Sequence, residues 1–98
     1  MNTIMKDSII TVAKEQVSCD LSGEAAILDL KSGQYYGLNA VGARVWNLIQ
    51  EPKTVTDVLQ TLLDEYNVAT DSCERDLFAL LEELQGKGLV DVKDATSK

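Results

Sequence analysis

The side chains that could do chemistry here are few, and the most versatile one is missing: the chain contains no histidine. That removes the commonest general base, the commonest metal ligand and every triad that needs an imidazole. The two cysteines, Cys19 and Cys73, stand 54 positions apart without a CxxC spacing, so no structural zinc site is expected. Cys73 falls near a predicted helix start, where a thiolate is favoured, yet no base accompanies it. Both cysteines read as reduced structural thiols. The acids Glu74, Asp76, Glu82 and Glu83 read as a solvated helix face, and an Asp-x-Asp-x-Asp-Gly calcium loop is absent. Gly33, Gly37 and Gly42 do not compose a phosphate-binding loop. The serines, threonines and lysines have no partner base. The expectation is a protein that is not an enzyme and uses no metal or cofactor.

Charge narrows the partners. Sixteen acids against nine bases give a net charge of −7 over 98 residues. Nucleic-acid binding is led by phosphate neutralisation, so no nucleic-acid partner is expected. No apolar run approaches the roughly 18–20 residues that span a bilayer. Residues 1–14 lack a long apolar stretch and a small-residue cleavage site. A cytoplasmic protein with no membrane partner follows. The acids are unevenly spread: residues 51–98 hold eleven of them against five bases.

The elements that must position any site read as strands first and helices second. Ile9, Ile10 and Val12 suit a short strand or an arm over the core, and residues 1–15 are treated as an N-terminal arm. Val17 to Leu21 alternates apolar and polar, as a half-buried strand does. Ser22-Gly23 is a turn signal, and Ala25 to Leu30 a second strand. Lys31-Ser32-Gly33 fits a hairpin loop with Gly33 left-handed, and Gln34 to Leu38 a third strand. Asn39 is a good N-cap for a helix with Val41, Val45, Trp46, Leu48 and Ile49 on its apolar face, stopped near Pro52. Thr54, with Asp57 after it, caps a second helix bearing Val55, Val58, Leu59, Leu62, Leu63 and Tyr66; Asn67 ends it left-handed. A third helix starts at Asp71 or Ser72, carries Leu77, Leu80, Leu81 and Leu84, and ends at Gly86 and Gly88. Leu89 to Val92 is extended, and residues 94–98 form a frayed tail. The domain is thus 16–93 and α+β: a three-stranded antiparallel sheet followed by three helices, winged helix-turn-helix-like.

A small domain of this kind can still bind. The third strand is short and suits a sheet edge, whose unpaired N–H and C=O groups another chain can use. Phe78 stands off the leucine stripe of the third helix, either widening the core or offering a ring at its margin.

The run Ile27-Leu28-Asp29-Leu30-Lys31-Ser32-Gly33-Gln34-Tyr35-Tyr36-Gly37-Leu38-Asn39, continuing to Trp46, resembles the PqqD-like family. These are recognition elements for the precursors of ribosomally made, modified peptides. Tyr66-Asn67-Val68, Glu74-Arg75-Asp76-Leu77 and Gly88-Leu89-Val90 fit the same pattern. The resemblance implies a leader peptide captured as an extra strand between the third strand and the third helix. Carried onto this chain, the site would comprise Gln34, Tyr35, Tyr36, Gly37 and Leu38 with Asp76, Phe78, Leu81, Glu82 and Gln85. The turn Asp29 to Gly37 is similar to stand-alone elements of lasso-peptide pathways, which implies a separate leader peptidase and a macrocyclase as further partners. Two rivals remain: a PqqD-type chaperone for a radical SAM enzyme, and a winged-helix transcription regulator. The last would lay residues 71–87 against DNA. That segment carries five acids against Arg75 and Lys87. A gel shift with duplex DNA at 200 mM salt is therefore expected to show no complex, and a tight specific band would return the regulator to first place.

Overall fold

The structure is a computed structural model and describes residues 4–14, 16–21 and 24–93. The elements are β1 (Ile9–Val12), β2 (Gln16–Leu21), β3 (Glu24–Asp29), β4 (Tyr35–Leu38), α1 (Ala40–Leu48), β5 (Lys53–Thr54), α2 (Val55–Glu65), α3 (Thr70–Gly86) and β6 (Val90–Lys93). The turn expected at Ser22-Gly23 and the frayed tail 94–98 lie outside the described residues.

The α+β class and the three helices stand, but the single sheet does not. There are two three-stranded sheets, ordered β2-β3-β4 and β5-β1-β6. The first is the expected meander. Its loop closes where the Asp29 N–H donates to the Gln34 carbonyl at 2.9 Å and the Gly33 N–H to the Asp29 carbonyl at 2.7 Å. The loop therefore takes Leu30 as well as Lys31, Ser32 and Gly33. Gly33 has φ 73, the left-handed geometry expected of it. Asp29 braces the turn by accepting from the Lys31 N–H and the Ser32 hydroxyl, each at 3.0 Å.

The second sheet joins segments far apart in the chain. Ile9 to Val12 is a strand, pairing antiparallel with β6 through Ile10↔Val92 and Val12↔Val90, and with β5 through Ile9↔Thr54. The segment before β1 is also tied down. The Ser8 and Lys6 carbonyls accept from the Val55 and Thr56 N–H groups at 3.0 and 2.9 Å. These are first-turn donors of α2 that have no partner within the helix. The winged helix-turn-helix likeness finds no confirmation in this arrangement, because β6 is matched to β1 and not to the meander.

Two of the three helix starts follow the expected chemistry. Asn39 accepts from the Gly42 N–H at 2.9 Å, and Thr54 from the Asp57 N–H at 3.1 Å. The third differs. Helix α3 begins at Thr70 with Ala69 as a cap that makes no side-chain bond, and Glu74 pairs with Lys6 at 3.5 Å. Helix α2 ends at Glu65, and Tyr66 turns extended one residue before Asn67. At the end of α3 the Leu89 N–H reaches the Leu84 carbonyl and the Gly88 N–H the Gln85 carbonyl. This is a Schellman turn, made possible by Gly88 at φ 75.

One core joins everything. Ile10 and Val92 of one sheet, Ile27 and Leu38 of the other, Val45 and Trp46 of α1, Val58 and Leu62 of α2, and Leu77, Leu81 and Leu84 of α3 are all buried within it. Val41, expected on the core face of α1, is 44% exposed.

Space around Gly88 is open, so a Cβ there meets no atom within 4 Å. Gly88→Ala is expected to cost only backbone strain, about 1 kcal/mol, whereas Leu84→Ala opens a cavity and should cost about 2–5 kcal/mol. Urea unfolding of the two variants measures the difference.

Candidate functional site

Strand β4 is hydrogen-bonded on one side only among the described residues, to β3. Antiparallel pairs alternate between bonded and non-bonded partners. With Asp29 and Gln34 bonded, Tyr36 opposite Ile27 is the next bonded residue. The N–H and C=O of Tyr35 and Gly37 thus point to the free edge.

Beside that edge runs a groove whose far wall is α3. One part, about 310 Å³, lies between Ser32, Gln34, Tyr35, Tyr36 and the end of the helix at Gly86 and Lys87. The next, about 400 Å³, lies between Tyr36 to Val41 and the side chains of Asp76, Leu80 and Glu83. Beyond it Val41, Asp76 and Leu80 also border a smaller apolar pocket of about 180 Å³, completed by Val45, Leu62, Tyr66, Val68, Ser72, Cys73 and Leu77.

The structure brings some of the expected residues together and separates others. Gln34, Tyr35, Tyr36, Gly37, Leu38 and Asp76 line the groove. Leu38 does so from a buried position. Leu81 is 0% exposed and belongs to the core, which corrects its expected place on the groove wall. Phe78, Glu82 and Gln85 line neither part of the groove. Residues four or seven apart share a helix face, so Asp76, Leu80, Glu83 and Lys87 form one stripe and Phe78, Glu82 and Gln85 another, on opposite flanks of the buried leucines. Phe78 is half-buried against the core, the first of its two readings. Glu83, Leu80, Lys87 and Val68 are groove residues that pattern reading missed. An exposed Val41 on an otherwise apolar helix face is the visible sign of it.

Tyr36 is the shared wall between the two larger parts. Burial pushes its phenol from 10.0 up to about 12, reinforced by a hydrogen bond to Glu83 and by that carboxylate's charge. The Lys87 ammonium stands 5.4 Å from the ring centroid, a cation–π distance. The two together tie β4 to α3 across the groove.

No group of three Cys, Asp or Glu side chains is placed to hold a metal among the described residues. Cys73 borders the apolar pocket, but burial, with the nearby Asp76 charge, raises its thiol above the usual value. The thiolate suggested by its position near the helix start is therefore disfavoured. Among the described residues no helix is long and apolar enough to cross a membrane.

The family model for coenzyme PQQ synthesis protein D (PqqD) matches residues 24–90. A solved structure of TbiB1 in complex with the TbiA(beta) leader peptide is similar, with a TM-score of 0.78 and 34% identity over 83% of this chain and 94% of that one. A second, lasso peptide synthetase B1 complexed with the leader peptide, has a TM-score of 0.74 and 28% identity over 84% of this chain and 96% of that one. No curated protein matches the chain.

The raised Tyr36 phenol has a measurable consequence. The folded chain holds this proton more tightly than the unfolded chain, so the stabilisation is complete below pH 10 and is lost as pH rises towards 12. Ultraviolet titration of the folded protein is expected to show a late tyrosinate step near pH 12. Tyr36→Phe should abolish that step, and its persistence would place the late proton elsewhere.

Proposed function

The chain belongs to the PqqD family, and from that premise we propose that it captures the leader peptide of a ribosomally made precursor in lasso-peptide biosynthesis. The peptide adds as a strand to β4 and lies against α3. The observation that carries this reading is the pairing of β4 on one side only among the described residues, with an open groove along its other side. The two leader-bound structures that resemble the chain support it. In this reading the recognition domain runs from β1 to β6, because β1 is the central strand of the second sheet and Ile10 lies in the core, rather than from residue 16; it has no catalytic step of its own and works in the cytoplasm, where the precursor is made. It hands the precursor to a separate leader peptidase and macrocyclase.

Backbone pairing is nearly blind to sequence, so specificity needs side-chain pockets. The apolar pocket bordered by Val41, Tyr66, Val68 and Leu80 suits an apolar leader side chain. Truncating a desolvated apolar anchor costs about 2 kcal/mol or more, whereas an exposed ion pair contributes about 0–1 kcal/mol. Apolar contact then sets affinity, and the acids of α3 steer the encounter.

Calorimetry with the pathway's synthetic leader peptide tests this. Tyr35→Pro removes an edge donor and is expected to weaken binding about tenfold or more, equivalent to about 1.4 kcal/mol, at nearly unchanged thermal stability. Tyr36→Pro breaks the β3 ladder and should lower stability itself. Leu80→Ala should weaken binding more than Phe78→Ala. The reverse order would move the site to the opposite flank of α3, and a leader that fails to bind the wild-type chain would end the proposal.

A further inference from the structure

Three lysines from separate parts of the chain meet at one end of the groove. Lys14 follows β1, Lys31 stands in the loop between β3 and β4, and Lys87 closes the C-terminus of α3. All three are exposed and line one open cavity of about 430 Å³. They are a third of the nine basic residues in a chain of net charge −7. Asp29 and Lys87 border both this cavity and the part of the groove beside Tyr35, so the cavity continues the groove past the start of β4. The acids that line it are Asp29 and Asp91. Two carboxylates thus face three ammonium groups, and Asp29 already accepts from the Lys31 N–H and the Ser32 hydroxyl within its own turn. Glu83, one turn before Lys87, hydrogen-bonds the Tyr36 phenol. Lys14 and Lys87 form no ion pair among the described residues. A cation at a helix C-terminus complements the helix dipole, which accounts for Lys87 but not for Lys14 or Lys31.

We propose that this lysine corner holds a carboxylate side chain of the precursor, on the segment that leaves the groove past Tyr35. The inference rests on the leader-binding reading above and adds a specificity element to that site. An extended chain advances about 3.3 Å per residue, so the few residues beyond the one paired with Tyr35 pass over the cavity within reach of the lysine side chains. The other end of the groove has the opposite sign, with Asp76 and Glu83 on its wall. A peptide that fits both ends carries its acid beyond β4 and no acid beside Asp76. Such a charge also fixes register. An added strand that slides by two residues keeps the same faces inward and outward, and backbone pairing alone does not oppose the slide. A carboxylate held at Lys14, Lys31 and Lys87 does oppose it.

Calorimetry of the intact chain with the pathway's synthetic leader, at 50 and 500 mM salt, tests this. The double variant Lys14→Glu, Lys31→Glu lies outside the strands and helices. It is expected to stay folded by circular dichroism and to bind leader about tenfold more weakly at 50 mM salt, the scale of two exposed ion pairs. At 500 mM the loss should shrink to within about threefold, because salt screens exposed charges. Changing the leader's Asp and Glu residues singly to Asn and Gln should weaken binding to the wild-type chain at one position at least, a measurement that does not depend on how the variant folds. A leader with Lys at that position should bind the double variant more tightly than it binds wild type. A wild-type chain that does not bind leader would sink the leader reading itself. Leader binding that neither the double variant nor any neutralised acid weakens at 50 mM would overturn this inference alone. So would a leader without Asp or Glu, or a loss that persists in full at 500 mM.

Discussion

Burial of one leucine stripe on α3 holds the two sheets and the groove in place. Leu77, Leu81 and Leu84 join Ile27 and Leu38 of one sheet and Ile10, Val90 and Val92 of the other in a single core. Each buried leucine contributes about 1.5–3 kcal/mol relative to exposure, a large part of what a domain this small can gather. Once that stripe faces inward, the orientation of the helix is settled. Asp76, Leu80, Glu83 and Lys87 turn towards β4 and wall the groove. The Schellman end, with its left-handed Gly88, then delivers Leu89 to the core and sends β6 back to β1.

What could be read in the sequence was local. Gly33 in its hairpin, Asn39 and Thr54 at their helix starts, and the inward leucines each rest on interactions spanning a few residues, and each has its physical signature in the residues themselves. The second sheet did not. It pairs Ile10 with both Lys53 and Val92, and no short-range pattern specifies such distant partners. The start of α3 was misplaced because Asp71 and Ser72 look like caps, while Ala69, the actual cap, carries no side chain that can bond. The groove wall was misassigned for a geometric reason. At roughly 100° per residue, the stripe through Leu80 and the stripe through Phe78 flank the leucines nearly symmetrically. Only the placement of β4 tells them apart.

Exposed strand edges invite aggregation, and proteins usually blunt them with charge, proline, bulges or brevity. Strand β4 relies on brevity alone, being four residues long with no charged residue or proline. The cover it lacks is supplied partly by the tie of Tyr36 to Glu83 and Lys87, which holds α3 alongside. That tie leaves the edge open, with α3 along its far side.

A strand offers three directions, and β4 uses each for something different. Leu38 points inward and is buried with the core, which fixes the strand against movement. Tyr36, of the same parity but further from the core centre, faces α3 and shapes the groove. Tyr35 and Gly37 have the opposite parity, so the Tyr35 ring belongs to the outer face of the sheet, while the backbone groups of both, unclaimed by β3, belong to the edge. A one-residue slip of β4 against β3 would exchange all of these roles together. The closing pair Asp29 and Gln34, with Gly33 left-handed between them, therefore governs core, groove and outer face through one register.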